Sequence, residues 1–110
     1  MQKLSLDARA RELMAQASGS SAGRAAGTVL GGHERMLRQT VIALVKDATM
    51  AEHASPGEAS VFVLRGRVVL ESAGQTWEGR DGDLLIVPDA PHSLQALQDS
   101  AVLLTVAKRP

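Results

Sequence analysis

Hydrophobic and polar positions divide this chain into a short opening stretch of helical period and a long remainder of brief apolar runs. From Leu6 to Ala17, the residues Leu6, Ala10, Leu13, Met14 and Ala17 recur at helical spacing on one face, and charges cover the other. The spacing predicts an amphipathic helix, with Ser5 as its N-cap and Asp7 at the positive end of its dipole. Its apolar face is small and partly alanine, which suits packing on a sheet or an arm across a partner subunit rather than a membrane surface. Ser18-Gly19-Ser20-Ser21-Ala22-Gly23-Arg24-Ala25-Ala26-Gly27 reads as a flexible connector by composition. The expected organisation is thus a helix and connector over residues 1–27, an appendage to a β domain over 28–110.

Beyond Gly27 the period changes. Short strands are expected at Thr28–Leu30, Met36–Leu44, Met50–His53, Ser60–Leu64, Arg67–Glu71, Gln75–Glu78, Asp83–Val87, His92–Ala96 and Ala101–Ala107. Turn chemistry separates them, as at Gly31-Gly32, Lys46-Asp47, Pro56-Gly57, Gly74 and Gly79-Arg80-Asp81-Gly82. Many short strands at tight spacing, with no second helix, read as an all-β antiparallel barrel or sandwich. Val61-Phe62-Val63-Leu64, Leu84-Leu85-Ile86-Val87 and Val102-Leu103-Leu104-Thr105-Val106 are apolar on both faces. A sheet with one wet face would alternate, so the outer face needs a cover. A second subunit, with a contribution from the helix, is the economical cover, and a homodimer is expected.

Composition narrows the partners. At 110 residues the chain is one domain with a modest core, built on Val, Leu, Ile and Ala because only one Phe, one Trp and no Tyr are present. Twelve Lys and Arg balance twelve Asp and Glu, so no net field draws the chain to nucleic acid or to an anionic membrane. The absence of cysteine excludes disulfides, thiolate catalysis and cysteine-type zinc sites. No apolar run approaches the length of a membrane span. The first residues lack the basic-then-apolar layout of a secretory signal, and a cytoplasmic location is the expectation.

The stretch His53-Ala54-Ser55-Pro56-Gly57-Glu58, continuing through Val61-Phe62-Val63-Leu64 to Gly66, sets an imidazole and a carboxylate beside a turn at the head of an apolar strand. Farther on, Gly82, the run Leu84 to Val87, Pro88 and His92 form a second such group. Over roughly residues 35–107 the two groups resemble the paired motifs of the cupin superfamily, the RmlC-like barrels. The resemblance implies a jelly-roll-like barrel, the double-stranded β-helix, here with a short N-terminal helix. His53, Glu58 and Gly66 take the places of the second histidine, the glutamate and the glycine of the first motif, and His92 that of the second motif's histidine. Ala51 stands where the first histidine would be, Ala90 near an expected glycine, and Ala96 where an asparagine often follows.

The resemblance implies His53, Glu58 and His92 as ligands of a divalent metal. Two imidazoles and one carboxylate suit non-haem iron, and manganese, nickel, zinc or copper could use the same set. Alternation groups Glu58 with Ser60, Phe62 and Leu64, and an inward Glu58 would need a metal or a histidine beside it. The alternative is a metal-free pocket in which the three side chains bond to one another and to water. His33 either replaces the ligand missing at Ala51 or lies in a surface turn. Of Arg38 and Gln39 one must point inward: an inward Arg38 would select a carboxylate ligand, an inward Gln39 would offer neutral hydrogen bonds, and Arg38 could equally be solvated. Trp77 reads as a barrel-wall or interface residue, and Asp81-Gly82-Asp83 as a turn rather than a calcium loop. Three classes of function stay open: a metal-dependent dioxygenase or isomerase acting on a small polar organic molecule, a non-catalytic binding or sensing module, and a structural protein with a vestigial site.

Overall fold

The computed structural model describes residues 2–53 and 57–108, and of Glu52 and His53 only the backbone. One helix, α1 (Leu6–Ser18), precedes nine strands: β1 (Arg24–Leu30), β2 (Leu37–Leu44), β3 (Thr49–His53), β4 (Gly57–Arg65), β5 (Arg67–Ser72), β6 (Gln75–Arg80), β7 (Leu84–Val87), β8 (His92–Ala96) and β9 (Ser100–Lys108). All strand pairs are antiparallel. They form a five-stranded sheet of order β1-β2-β9-β4-β7 and a four-stranded sheet of order β3-β8-β5-β6. The two sheets face each other across an apolar interior, as expected of a jelly-roll barrel. Among the described residues no helix is long and apolar enough to cross a membrane.

Every expected strand is present, and one boundary moves substantially. Strand β1 begins at Arg24 and takes in residues read from sequence as connector. Ala25, Ala26 and Gly27 have low strand propensity, but each pairs with β2, at Ala43, Ile42 and Val41, and this tertiary pairing overrides local preference. At Gly27 a Cβ would come 3.1 Å from the Arg9 guanidinium carbon, so the missing side chain lets helix and strand approach closely.

The helix starts where the sequence places it. Ser5 caps it by accepting a hydrogen bond from the Ala8 amide at 3.1 Å. Asp7 pairs with Arg11 one turn on, and its other oxygen accepts from Arg65 of β4 at 3.0 Å. These are exposed ion pairs and add little to stability. Burial is what fixes the helix. Leu13 is 1% exposed and Ala17 fully buried, packed with Val41 and Ala43 of β2 and flanked by Leu64 and Leu103. The helix therefore covers part of the outer face of the larger sheet. The remainder of that face, toward β7, stays open, with Leu84 56% and Ile86 70% exposed.

A second core fills the space between the sheets. Ile42, Leu44, Val61, Val63, Val102 and Val87 from the larger sheet meet Val68, Leu70, Leu94 and Ala96 from the smaller. At the closed end, Gly66 (φ +100°) donates its amide to Asp81 at 2.8 Å, and the Ser100 hydroxyl accepts from the Arg67 amide at 2.9 Å. Any Cβ on Gly66 would come 2.5 Å from the Asp99 carbonyl oxygen.

Candidate functional site

Cross-strand register places the chemistry-bearing residues at the other end of the barrel. Strand β8 runs between β3 and β5, and His92 is opposite Ser72 on one side and His53 on the other. Next along the strands, Leu94 is opposite Leu70 and Met50. Four residues of β3, from Met50 to His53, span three of β8, from Leu94 to His92. Without that extra residue Glu52 would stand opposite His92; the irregularity brings in the backbone of His53 instead. Such irregularities re-aim strand residues beside functional sites in many folds. The side chain of His53 lies outside the described residues.

His92 is 5% exposed and lines the apolar cavity between the sheets, together with Ile42, Met50, Val61, Leu70, Leu94, Val102 and Leu104. The enclosed space is small, about 20 Å³ for the centre of a water molecule, little more than a single water needs. The Nδ1 atom of His92 is 3.1 Å from the Ala90 carbonyl oxygen. A carbonyl only accepts, so Nδ1 carries the proton and donates. In the neutral ring Nε2 then holds the lone pair, the atom with which an imidazole accepts a hydrogen bond or ligates a metal. Next to it the buried Ser72 hydroxyl donates to the Pro91 carbonyl at 2.9 Å. The Pro88–Pro91 turn is thus tied to the barrel through both residues.

Strand β4 does not place Glu58 inward. Its buried positions are Gly57, Val61 and Val63, with Ala59 packed on the core, whereas Glu58 is exposed. Glu58 lies opposite Ala107 of β9, in the same outward set as Ser60 opposite Thr105 and Phe62 opposite Leu103. The strand's apolar residues occupy both faces, so alternation alone could not fix the parity. Packing decided it: Val61 and Val63 fill the interior, and Leu64 goes under the helix. A three-ligand set containing Glu58 therefore does not fit the pocket as built. Among the described residues no group of three or more His, Asp or Glu side chains is arranged to hold a metal ion.

His33 is exposed in the turn between β1 and β2. Arg38 and Gln39 divide as alternation requires. Arg38 is opposite Val106, in the interior-facing series Arg38, Thr40, Ile42, Leu44 of β2, and is exposed because it stands at the mouth. Gln39 faces outward and donates to the Thr105 hydroxyl at 3.1 Å. Trp77 of β6 is opposite the cavity residue Leu70 and is 38% exposed, on the barrel wall near its open side. Asp81 and Asp83 serve the turn, each accepting from a backbone amide. Sequence reasoning missed Met50 and Lys108. The series Val102, Leu104, Val106, Lys108 is a plain alternation that could have placed the latter.

No protein-family model matches the chain, and no curated protein matches it in sequence. Solved structures do. A conserved protein of unknown function from Streptococcus pyogenes is 27% identical with a TM-score of 0.74, the match covering 83% of this chain and 79% of that one. A cupin superfamily protein from Desulfitobacterium hafniense is 16% identical, TM-score 0.71, covering 78% of each chain. Salicylate 1,2-dioxygenase from Pseudoaminobacter salicylatoxidans, a variant in complex with gentisate, is 22% identical with a TM-score of 0.76 over 92% of this chain, which spans 31% of that longer one.

Proposed function

We propose, on the premise of the barrel fold that the chain shares with the cupin structures it matches, that it binds a small organic molecule between its sheets, oriented by His92. The observation that carries this reading is one buried imidazole, its tautomer set by the Ala90 carbonyl, on the wall of an otherwise apolar cavity. A mostly apolar pocket with a few placed polar groups suits small organic ligands, and a space this narrow takes the apolar end of one rather than the whole molecule. The test is thermal: the purified protein is screened against small organic acids, amides and alcohols while its melting temperature is followed. Compounds that raise it for the wild type and not for His92→Ala support the reading. A shift that persists undiminished in His92→Ala would place the ligand elsewhere.

A second reading is favoured by the backbone register of His53 opposite His92. The two histidines would then hold a divalent metal (iron, manganese, nickel, zinc or copper), Glu58 taking no part, as the core of a dioxygenase or isomerase. A donated Nδ1–H to a carbonyl is the usual outer support of a ligating histidine. Titration with the five ions, followed by metal analysis after dialysis, tests it. Retention of one equivalent by the wild type and loss in both His53→Ala and His92→Ala supports the metal centre. No uptake in the wild type leaves the plain cavity, the binding or sensing version.

The chain also pairs with a second copy in this reading. The part of the outer sheet face beyond the helix carries Leu84, Ile86 and half-buried Phe62 next to the uncharged Ser60 and Thr105. Covering such a face is worth roughly 25 cal/mol per Å² of apolar area. Sedimentation at micromolar concentration should give two chains per particle, and Ile86→Glu should give one without loss of fold. A monomeric wild type removes the proposal.

A further inference from the structure

The open end of the barrel carries charge that the pocket reading has not used. On the interior-facing side of β2, Arg38 stands two residues above Thr40, and Thr40 is opposite the cavity residue Leu104. That is about 6.6 Å along the strand, within the reach of an arginine side chain. On β9 the interior-facing series Val102, Leu104, Val106 ends at Lys108, whose backbone amide bonds to the Met36 carbonyl at 2.8 Å. Two cations on adjacent strands therefore crown the wall whose lower rows, Ile42, Val102 and Leu104, line the cavity.

Both side chains are braced by the Gly31-Gly32 turn. Lys108 Nζ donates to the Gly32 carbonyl at 3.2 Å, and a Cβ on Gly31 would be 3.4 Å from Arg38 Cγ. Among the described residues neither cation makes an ion pair. The acid nearest the turn, Glu34, lies against Gly32, where a Cβ would meet its carboxylate at 3.0 Å. The hydroxyls of Thr28 and Thr40, 3.4 Å apart, sit below Arg38 on the same face.

From apolar floor, imidazole wall and cationic rim we infer that the ligand is an amphipathic carboxylic acid, its apolar end in the cavity and its carboxylate on Arg38, with Lys108 in support. The inference rests on the pocket reading and adds the ligand's charge. Arginine's planar fork matches a carboxylate with two parallel hydrogen bonds, which a neutral amide of the same shape cannot reproduce. Phosphate esters share the anionic chemistry, and they are the natural competitors in the test.

The experiment compares matched pairs, benzoate with benzamide and hexanoate with hexanamide, by calorimetric titration at about 0.15 M salt, where weak long-range attraction is screened. Phenyl phosphate is included as the third head group. The wild type is expected to bind each carboxylate about ten-fold tighter than its amide. Arg38→Gln should bring the acid down to the level of the amide and leave the amide unchanged, Arg38→Lys should keep part of the preference, and Lys108→Gln should cost less than Arg38→Gln. Acid and amide binding alike in the wild type, or a preference untouched by Arg38→Gln, overturns the inference and spares the pocket. Phenyl phosphate outbinding benzoate overturns the choice of carboxylate. If no member of any pair binds, the pocket reading fails and takes the inference with it.

Discussion

Replacing Leu13 by alanine tests whether the N-terminal helix is part of the fold or a passenger on it. Leu13 is 1% exposed and packed among Ala17, Val41 and Ala43. The substitution removes three carbon groups, about 2.4 kcal/mol at roughly 0.8 kcal/mol each. The vacated space adds a cavity cost, because helix and sheet are held by their other contacts and collapse only in part. The sum is about 3–4 kcal/mol, within the range seen for buried leucines. A domain of this size is stable by about 5–15 kcal/mol, so the loss is a large share of the whole and should lower the melting temperature by about 10–15 °C. Leu4→Ala is the control: Leu4 is 59% exposed, and its removal should shift stability by less than about 0.5 kcal/mol. Urea and thermal unfolding, followed by far-UV circular dichroism, give both values. If Leu13→Ala melts within a degree or two of wild type, the helix is not seated on β2, and residues 1–23 should prove dispensable. A large loss means that deleting them uncovers Val41 and Ala43 and costs more still.

Two turns give further tests. Gly66→Ala puts a Cβ against the Asp99 carbonyl in a conformation (φ +100°) that alanine rarely adopts; it should cost about 2–4 kcal/mol in chemical unfolding, and a neutral result would mean the closed end is looser than described. Ala73 and Gly74 both hold positive φ, 52° and 77°, in the β5–β6 turn, a pattern that favours Asn-Gly. Ala73→Asn should therefore raise stability by about 0.5–1 kcal/mol, seen as a melting temperature a few degrees higher.

Much of the fold was legible because strand pairing left a local signature. Turn residues punctuate the chain at the strand ends, and Ser5 with the Leu6-to-Ala17 spacing marks the helix. What failed did so where a local pattern is degenerate. Ser60-Val61-Phe62-Val63-Leu64 offers apolar residues to both faces, so nothing within it says that Val61 faces in and Glu58 out. Only register with β9 and the helix above Leu64 settle the parity. At β1 the small residues Ala25, Ala26 and Gly27 gave no strand signal, although pairing with β2 makes them one. At the site, the proline turn before His92 marked a residue that the fold buries in the cavity wall. The extra residue of β3 that brings His53 opposite it is set by long-range pairing and has no sequence mark.

The edges of the two sheets bear on how far self-association can go. Each outermost strand is interrupted or uninviting to a neighbour: β1 shifts register between Thr28 and Leu30, and β3 between Met50 and His53. Strand β7 is four residues long and ends against Pro88, and β6 carries Glu78, paired with Arg67 at 2.7 Å, and Arg80. Bulges, short strands, proline and charge are the features that stop sheets from extending edge to edge into polymers. Leu84 and Ile86 are thus exposed on a face whose bordering strands resist strand-by-strand growth. A contact made through one shared face about a two-fold axis would use that face up, so the pairing proposed above would end at a closed dimer instead of running on into a fibre.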